Sequence, residues 1–124
     1  MTERLDKQHR YPWPAIETAV RWYQKEGLTY RAVSSKLLNH GMEVSHKTVY
    51  EWVQKFGDVV GRKARRRLAT ANNWDVEESY VKVNGEWKYM YRAVDPKDNT
   101  LELVFRQKKN LASARSFLKK QLAD

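Results

Sequence analysis

The 124-residue chain contains no cysteine, so neither a disulfide framework nor a thiolate metal centre is open to it. Histidine is nearly as scarce. His9, His40 and His46 are its three histidines, and none stands at close ligand spacing to another, which argues against structural zinc. Apolar runs are short: no stretch approaches the ~20 residues of a membrane span, and the polar opening Met1-Thr2-Glu3-Arg4-Leu5-Asp6-Lys7 is not a signal peptide. A cytoplasmic protein without a membrane partner is expected. Gly41, Gly57, Gly61 and Gly85 are isolated turn or cap glycines, so no phosphate-cradling loop and no nucleotide cofactor are expected. Ser34, Ser35 and Ser45 lack a histidine and a carboxylate at recognisable spacing, which leaves no hydrolase-type nucleophile. The length admits one ordinary domain or two very small ones and excludes a large enzyme core.

Charge is what the chain has in excess. The net charge is +9, unevenly spread: residues 1–60 carry nine basic and seven acidic side chains, residues 61–70 five and none, and residues 71–124 ten and eight. More than half of the excess therefore sits in ten residues. Arg62, Lys63, Arg65, Arg66 and Arg67 form either a solvated linker or a phosphate-contacting arm, and they divide a helical first half from a strand-rich second half. The arm is the favoured reading, because the run directly follows a candidate DNA-binding unit and each Lys or Arg on a phosphate releases a counterion.

That unit rests on three helical patterns. Pro12-Trp13-Pro14 precedes Ile16, Ala19, Val20 and Tyr23 at i, i+3, i+4, i+7, and Gly27 is the expected C-cap. Thr29 is placed to cap a second helix whose apolar positions are Tyr30, Val33, Leu37 and Leu38. Ser45 caps a third, where Val49, Trp52, Val53 and Phe56 repeat the spacing and Gly57 is expected to end it. Three such helices predict a helix-turn-helix domain over 1–60, whose last helix enters the DNA major groove. With the apolar stripe inward, His46, Lys47, Thr48, Tyr50, Glu51, Gln54 and Lys55 face outward, all types that bond to bases or phosphates. Trp22 and Trp52 are expected in the core.

After a basic linker at 61–71 the period changes from 3.6 to 2. Trp74 to Val83 reads as a strand, Asn84-Gly85 as a two-residue type I′ turn, and Glu86 to Val94 as the returning strand. That register puts Glu77 opposite Arg92 and Tyr80 opposite Tyr89. Asp75 falls on the same face as Glu77, about 7 Å along the strand, where the two can share a cation or Glu77 can be salt-bridged. Asp95, before Pro96, is read as a turn residue. Trp87, Tyr89 and Tyr91 alternate on one face and are expected to pack under a helix. Thr100 to Arg106 gives a third strand, and Asn110 caps a helix with Leu111, Ala114, Leu118 and Leu122 on one side.

The run from Val76 to Asp95 closely resembles the first catalytic motif of DDE transposases of bacterial and archaeal insertion sequences, in particular the insertion-sequence six family. There an Asp-Glu-Thr-Tyr stretch precedes the Val81-Lys82-Val83-Asn84-Gly85 found here and a Trp-x-Tyr-x-Tyr-Arg-Ala-Val-Asp matched by Trp87 to Asp95. Leu28-Thr29-Tyr30-Arg31 and Gly41 to Gln54 likewise look like the family's helix-turn-helix. The resemblance implies an α+β chain in which the β-β-β-α order at 72–124 opens a ribonuclease H-like domain. It implies double-stranded DNA at insertion-sequence ends as partner, and strand cleavage and transfer with Mg2+ as the family's chemistry. Glu77 occupies the position of the first of three metal-holding acids, normally Asp, with Asp75 beside it as a second candidate ligand. The two later acids have no counterpart, so the isolated chain is expected to bind DNA without cutting it. A stand-alone helix-turn-helix regulator derived from a transposase, and an enzyme completed by a second chain, remain open. The first strand's unpaired edge invites strand addition and homo-oligomerisation.

Overall fold

In the computed structural model, residues 10–65 and 73–123 are described. The element order is α1 (Trp13–Glu26), α2 (Tyr30–Asn39), α3 (His46–Arg65), β1 (Asp75–Val83), β2 (Glu86–Val94), β3 (Thr100–Arg106) and α4 (Leu111–Leu122). This is an α+β chain with four helices and one three-stranded antiparallel sheet, ordered β1-β2-β3. The β-β-β-α order is consistent with the opening of a ribonuclease H-like domain.

Local chemistry sets most boundaries. Gly27 ends α1 in the left-handed region, at φ 66°. Thr29 caps α2 by accepting from the Ala32 amide at 3.1 Å, and Ser45 caps α3 by accepting from Thr48 N at 3.1 Å. Asn110 does the same for α4 through Ser113 N at 3.0 Å. Each satisfies an amide that the first helical turn leaves without a partner.

Gly57 does not end α3. The helix runs on to Arg65 because Val60, four residues beyond Phe56, continues the apolar stripe and is buried. Gly57 and Gly61 instead lie against α1. The Gly57 carbonyl accepts from Gln24 Nε2 at 2.8 Å, and Cβ atoms added at Gly57 and Gly61 would stand 3.3 and 3.6 Å from that side chain. Gly61, Arg62, Lys63 and Arg65 of the basic run are thus in the last turns of α3. Arg66 and Arg67 lie outside the described residues.

In the sheet, Asn84 (φ 49°) and Gly85 (φ 90°) form the turn. Both central residues have positive φ, as a type I′ turn requires. The resulting register pairs Val83 with Glu86, Tyr80 with Tyr89 and Glu77 with Arg92, as the two-residue loop predicts. Asp95 is a turn residue: its carboxylate accepts from the amides of Lys97 and Asn99, each at 2.9 Å.

The two sheet faces have different neighbours. Val83, Met90, Leu103 and Phe105 share one core with Ile16, Val20, Trp22, Leu37, Val49 and Trp52 from the three helices. Strand alternation puts Glu77 and Arg92 on that same face. On the other face, Tyr91, Ala93 and Val104 pack on Ala114 and Leu118 of α4. Of the three alternating aromatics, Tyr91 is fully buried there and Tyr89 packs at the edge of the cluster. Trp87 is 53% exposed, correcting the expectation that all three lie under a helix. It sits past the end of α4's cover and stacks on Tyr80, with ring centroids 5.0 Å apart.

The joint between helices and sheet is closely fitted. Phe105 N donates to His40 O at 2.8 Å and Asn84 N to Arg10 O at 2.6 Å, while Lys88 Nζ donates to Gly41 O at 3.1 Å. The His40 ring lies between Trp22 and Phe117, 5.0 Å from each, and its Nε2 is 3.3 Å from Glu102 Oε1. Trp22 and Trp52 are both buried, as expected.

The buried Tyr91 hydroxyl donates to Glu78 Oε2 at 2.6 Å and accepts from Asn110 N at 3.0 Å. The hydrogen bond from Tyr91, helped by Lys109 at 3.4 Å, holds the Glu78 carboxyl below its ordinary value against the opposing effect of burial. Burial first, and the bond to Glu78 second, push the Tyr91 hydroxyl up. The Glu78 contribution to stability is therefore present above pH 4.5 and lost as pH falls through its lowered folded value. The Tyr91 contribution is present below pH 10 and lost as pH rises through its raised folded value. Tyr91→Phe is expected to cost about 1–2 kcal/mol at neutral pH and to flatten both limbs of a melting-temperature profile. Limbs as steep as the parent's would show that this pair does not govern them.

Candidate functional site

Two regions carry the residues that the sequence singles out. The first is the outer surface of α3. His46, Lys47, Tyr50, Glu51, Gln54 and Lys55 are exposed and Thr48 is half-buried, while Val49 and Trp52 on the opposite side are buried. At 100° per residue, Lys47, Glu51 and Gln54 fall on the outermost strip, with Thr48 and Lys55 on one flank and His46 and Tyr50 on the other. The hydroxyl flank is ordered by the cap, since Ser45 Oγ also donates to Thr48 Oγ1 at 3.0 Å. Tyr50 stands edge-on to Tyr30 at 5.3 Å, and Tyr30 stacks on Tyr23 at 4.7 Å. Those rings tie α3 to α2 and α1. Lys55 holds its ammonium 5.9 Å from the Phe56 ring.

Of the basic run, Arg62 is exposed. Lys63 has a structural partner: its Nζ lies 2.9 Å from Oε2 of Glu17, a carboxylate only 8% exposed on α1. A phosphate contact by Lys63 competes with that ion pair. The sequence reading missed Glu17, whose signal was a lone acid amid the apolar positions of α1.

The second region is the acidic pair of β1, Asp75 and Glu77. Glu77 Oε1 accepts from both Nε and Nη2 of Arg92, the residue directly across the hairpin. Arg92 also reaches Asp98 Oδ1 at 3.3 Å and Thr100 Oγ1 at 2.7 Å. It is the more enclosed partner, with its side chain 12% exposed against 48% for Glu77. Asp75 is exposed on the same face of β1. Among the described residues, no three His, Asp or Glu side chains group as metal ligands would. A divalent cation needs oxygen ligands free of competing cations, and the Glu77 carboxylate is already engaged by a guanidinium. The described residues do not fit a two-metal centre. Sequence spacing places Glu77 opposite Arg92, but the further links to Asp98 and Thr100 depend on the turn at Asp95–Asn99.

Beside α3 lies a half-open cleft of about 660 Å³, lined by Thr48, Glu51 and Lys55 together with Arg10 and Asn84. Neither Arg10 nor Asn84 was singled out for function in the sequence. Arg10 carried only the weak signal of a cation just before the Pro12 helix start, and Asn84 was accounted for by its turn.

Comparison with known proteins agrees with these elements. Residues 71–124 match a family described as a DDE domain. The transposase for insertion sequence element IS257 in transposon Tn4003 of Staphylococcus aureus is 35% identical over 106 residues, covering 85% of this chain and 47% of that protein. The transposase for insertion sequence-like element IS431mec, from Staphylococcus aureus strain Mu50, matches with the same identity and coverage. An uncharacterised protein of Yersinia pseudotuberculosis is 39% identical over 51 residues, covering 41% of this chain and 48% of that one. No solved structure matches. The chain spans about half the length of the curated transposases it matches. With a DDE-domain match that begins just before β1 and transposase similarity across both halves, the chain is a relative of the insertion-sequence DDE transposases of the insertion-sequence six family.

Proposed function

We propose that the chain binds double-stranded DNA at insertion-sequence ends through a helix-turn-helix formed by α2 and α3 within residues 1–60, and that residues 72–124 are the opening of the catalytic domain. The observation that carries this reading is the two-sided character of α3. One side is locked into the core by Val49, Trp52 and Val60, and the other presents Lys47, Glu51 and Gln54 to solvent. A helix of that kind, capped at its N-terminus and braced by two others, suits the major groove. Arg62 and the other cations of 61–71 supply backbone contacts, with Lys63 the weakest contributor because of Glu17.

Substituting Lys47 or Gln54 by alanine is expected to cost roughly 1–3 kcal/mol on a site selected from a randomised duplex library and much less on random DNA. Equal losses on both would assign these side chains to the backbone. No loss on either would remove α3 as the reading helix.

The ion pair of Glu77 with Arg92 favours a second reading of the same DNA-binding chain, as a regulator without chemistry of its own. Two-metal strand transfer needs carboxylates converging on both ions. The purified chain is therefore expected to show no cleavage or joining with Mg2+ or Mn2+ on duplexes bearing element ends, and Glu77→Asp is expected not to restore either. Metal-dependent products from the parent or the variant would contradict this. So would activity that appears only after mixing with a second chain, which would identify the completed enzyme instead.

A further inference from the structure

The cleft beside α3 is built from three parts of the chain that the DNA-binding reading does not use together. One wall is the flank of α3 bearing Thr48 and Lys55, the second is the Arg10–Tyr11 segment ahead of α1, and the third is Asn84 at the tip of the β1–β2 hairpin. These parts are fixed to one another. Asn84 N donates to Arg10 O at 2.6 Å, and the Tyr11 ring meets Trp52 of α3 edge-on at 5.3 Å. The hairpin of the sheet is thereby held against the segment that borders α3.

A helix with its side chains is about 10–12 Å across, close to the ~12 Å width of the major groove. An α3 seated there with Lys47, Glu51 and Gln54 toward the bases must turn its flanks toward the two sugar–phosphate strands. On the Thr48 and Lys55 flank, the strand meets the mouth of this cleft. Its lining offers what a phosphodiester accepts: the guanidinium of Arg10, the ammonium of Lys55, the Thr48 hydroxyl and the Asn84 amide. Glu51 is the one carboxylate among the lining residues. It lies on the outermost strip at the edge of the cleft, where a carboxylate can accept from a cytosine amino group, and the two cations leave the lining at net +1.

We infer that this cleft is a clamp for one DNA backbone strand, in which the hairpin tip and Arg10 grip the phosphates flanking the groove that α3 reads. The inference rests on the assignment of α3 as the reading helix. It adds a contact made by the sheet, so that the catalytic-domain hairpin takes part in DNA binding.

The test uses the full chain, a fluorescent random-sequence duplex and a duplex selected from a randomised library, each titrated between about 50 and 200 mM salt. Arg10→Ala and Asn84→Asp are compared with Lys47→Ala. Aspartate keeps the left-handed turn that Asn84 adopts while placing a negative charge at the cleft. Melting curves verify that each variant is folded. Arg10→Ala is expected to weaken both duplexes alike and to lower the log–log salt slope by up to ~0.9, so that affinity falls about 3.5-fold less across that fourfold salt range. Asn84→Asp is expected to weaken both duplexes, most strongly at low salt. Parent-like affinity and slope in both variants, with Lys47→Ala still impaired on the selected duplex, would overturn the clamp and leave the reading helix standing. Parent-like behaviour of all three would overturn both.

Discussion

Gly41→Ala is expected to destabilise the protein by about 3 kcal/mol or more and to lower its melting temperature by about 10 °C or more. Gly41 has φ +92°, and a Cβ built on it would lie 2.3 Å from the Phe105 carbonyl oxygen. That neighbour is strand backbone, itself held by the bond from Phe105 N to His40 O, so neither side can yield without disturbing the sheet. Gly85 provides the control. Its φ is nearly the same, +90°, but an added Cβ meets nothing within 4 Å. Gly85→Ala therefore isolates the backbone strain, about 1–2 kcal/mol. Thermal melts of the two variants separate strain from collision, and equal losses would mean that β3 does not press on this turn.

Phe105→Ala is expected to cost about 3–5 kcal/mol, and the loss should appear in both halves at once. Phe105 is 2% exposed and belongs to the core shared by the helices and the sheet. Deleting it leaves a cavity between them. Helix melting followed by circular dichroism should coincide with the change in tryptophan fluorescence, to which Trp13, Trp22 and Trp52 in the helices and Trp74 and Trp87 in the second half contribute. Two separate transitions, with the helical one unmoved by the substitution, would show that the halves are energetically independent.

What could be read from the sequence was whatever is decided within a few residues. Thr29, Ser45 and Asn110 declare helix starts because a side-chain oxygen three residues before an amide has one obvious use. Asn84-Gly85 sets the register of the whole hairpin, and through it the meeting of Glu77 with Arg92, because a two-residue turn leaves no slack. Gly57 misled for a physical reason: glycine both ends helices and lets them approach closely, and only the position of α1 and Gln24 decides between the two. Trp87 misled similarly. Alternation places it on the face of Tyr91, but how far along the hairpin α4 extends is a matter of tertiary geometry. The shared core was equally out of reach, since Val83, Met90, Leu103 and Phe105 read as one apolar face whatever covers it. At the candidate sites, the residue types on α3 were legible from periodicity, whereas the cleft with Arg10 and Asn84 and the Glu17 pairing of Lys63 depend on long-range contacts.

The bond from Phe105 N to His40 O gives the sheet a direction of growth. On the β3 side, the tight fit of Gly41 leaves no room for another strand to lie alongside that bond. On the β1 side, no strand occupies the outer edge among the described residues. Among the described residues the edge alongside Asp75–Val83 is open to a further strand, whereas the β3 edge is covered at Phe105. A strand added alongside β1 would lie beside the hairpin that pairs Glu77 with Arg92.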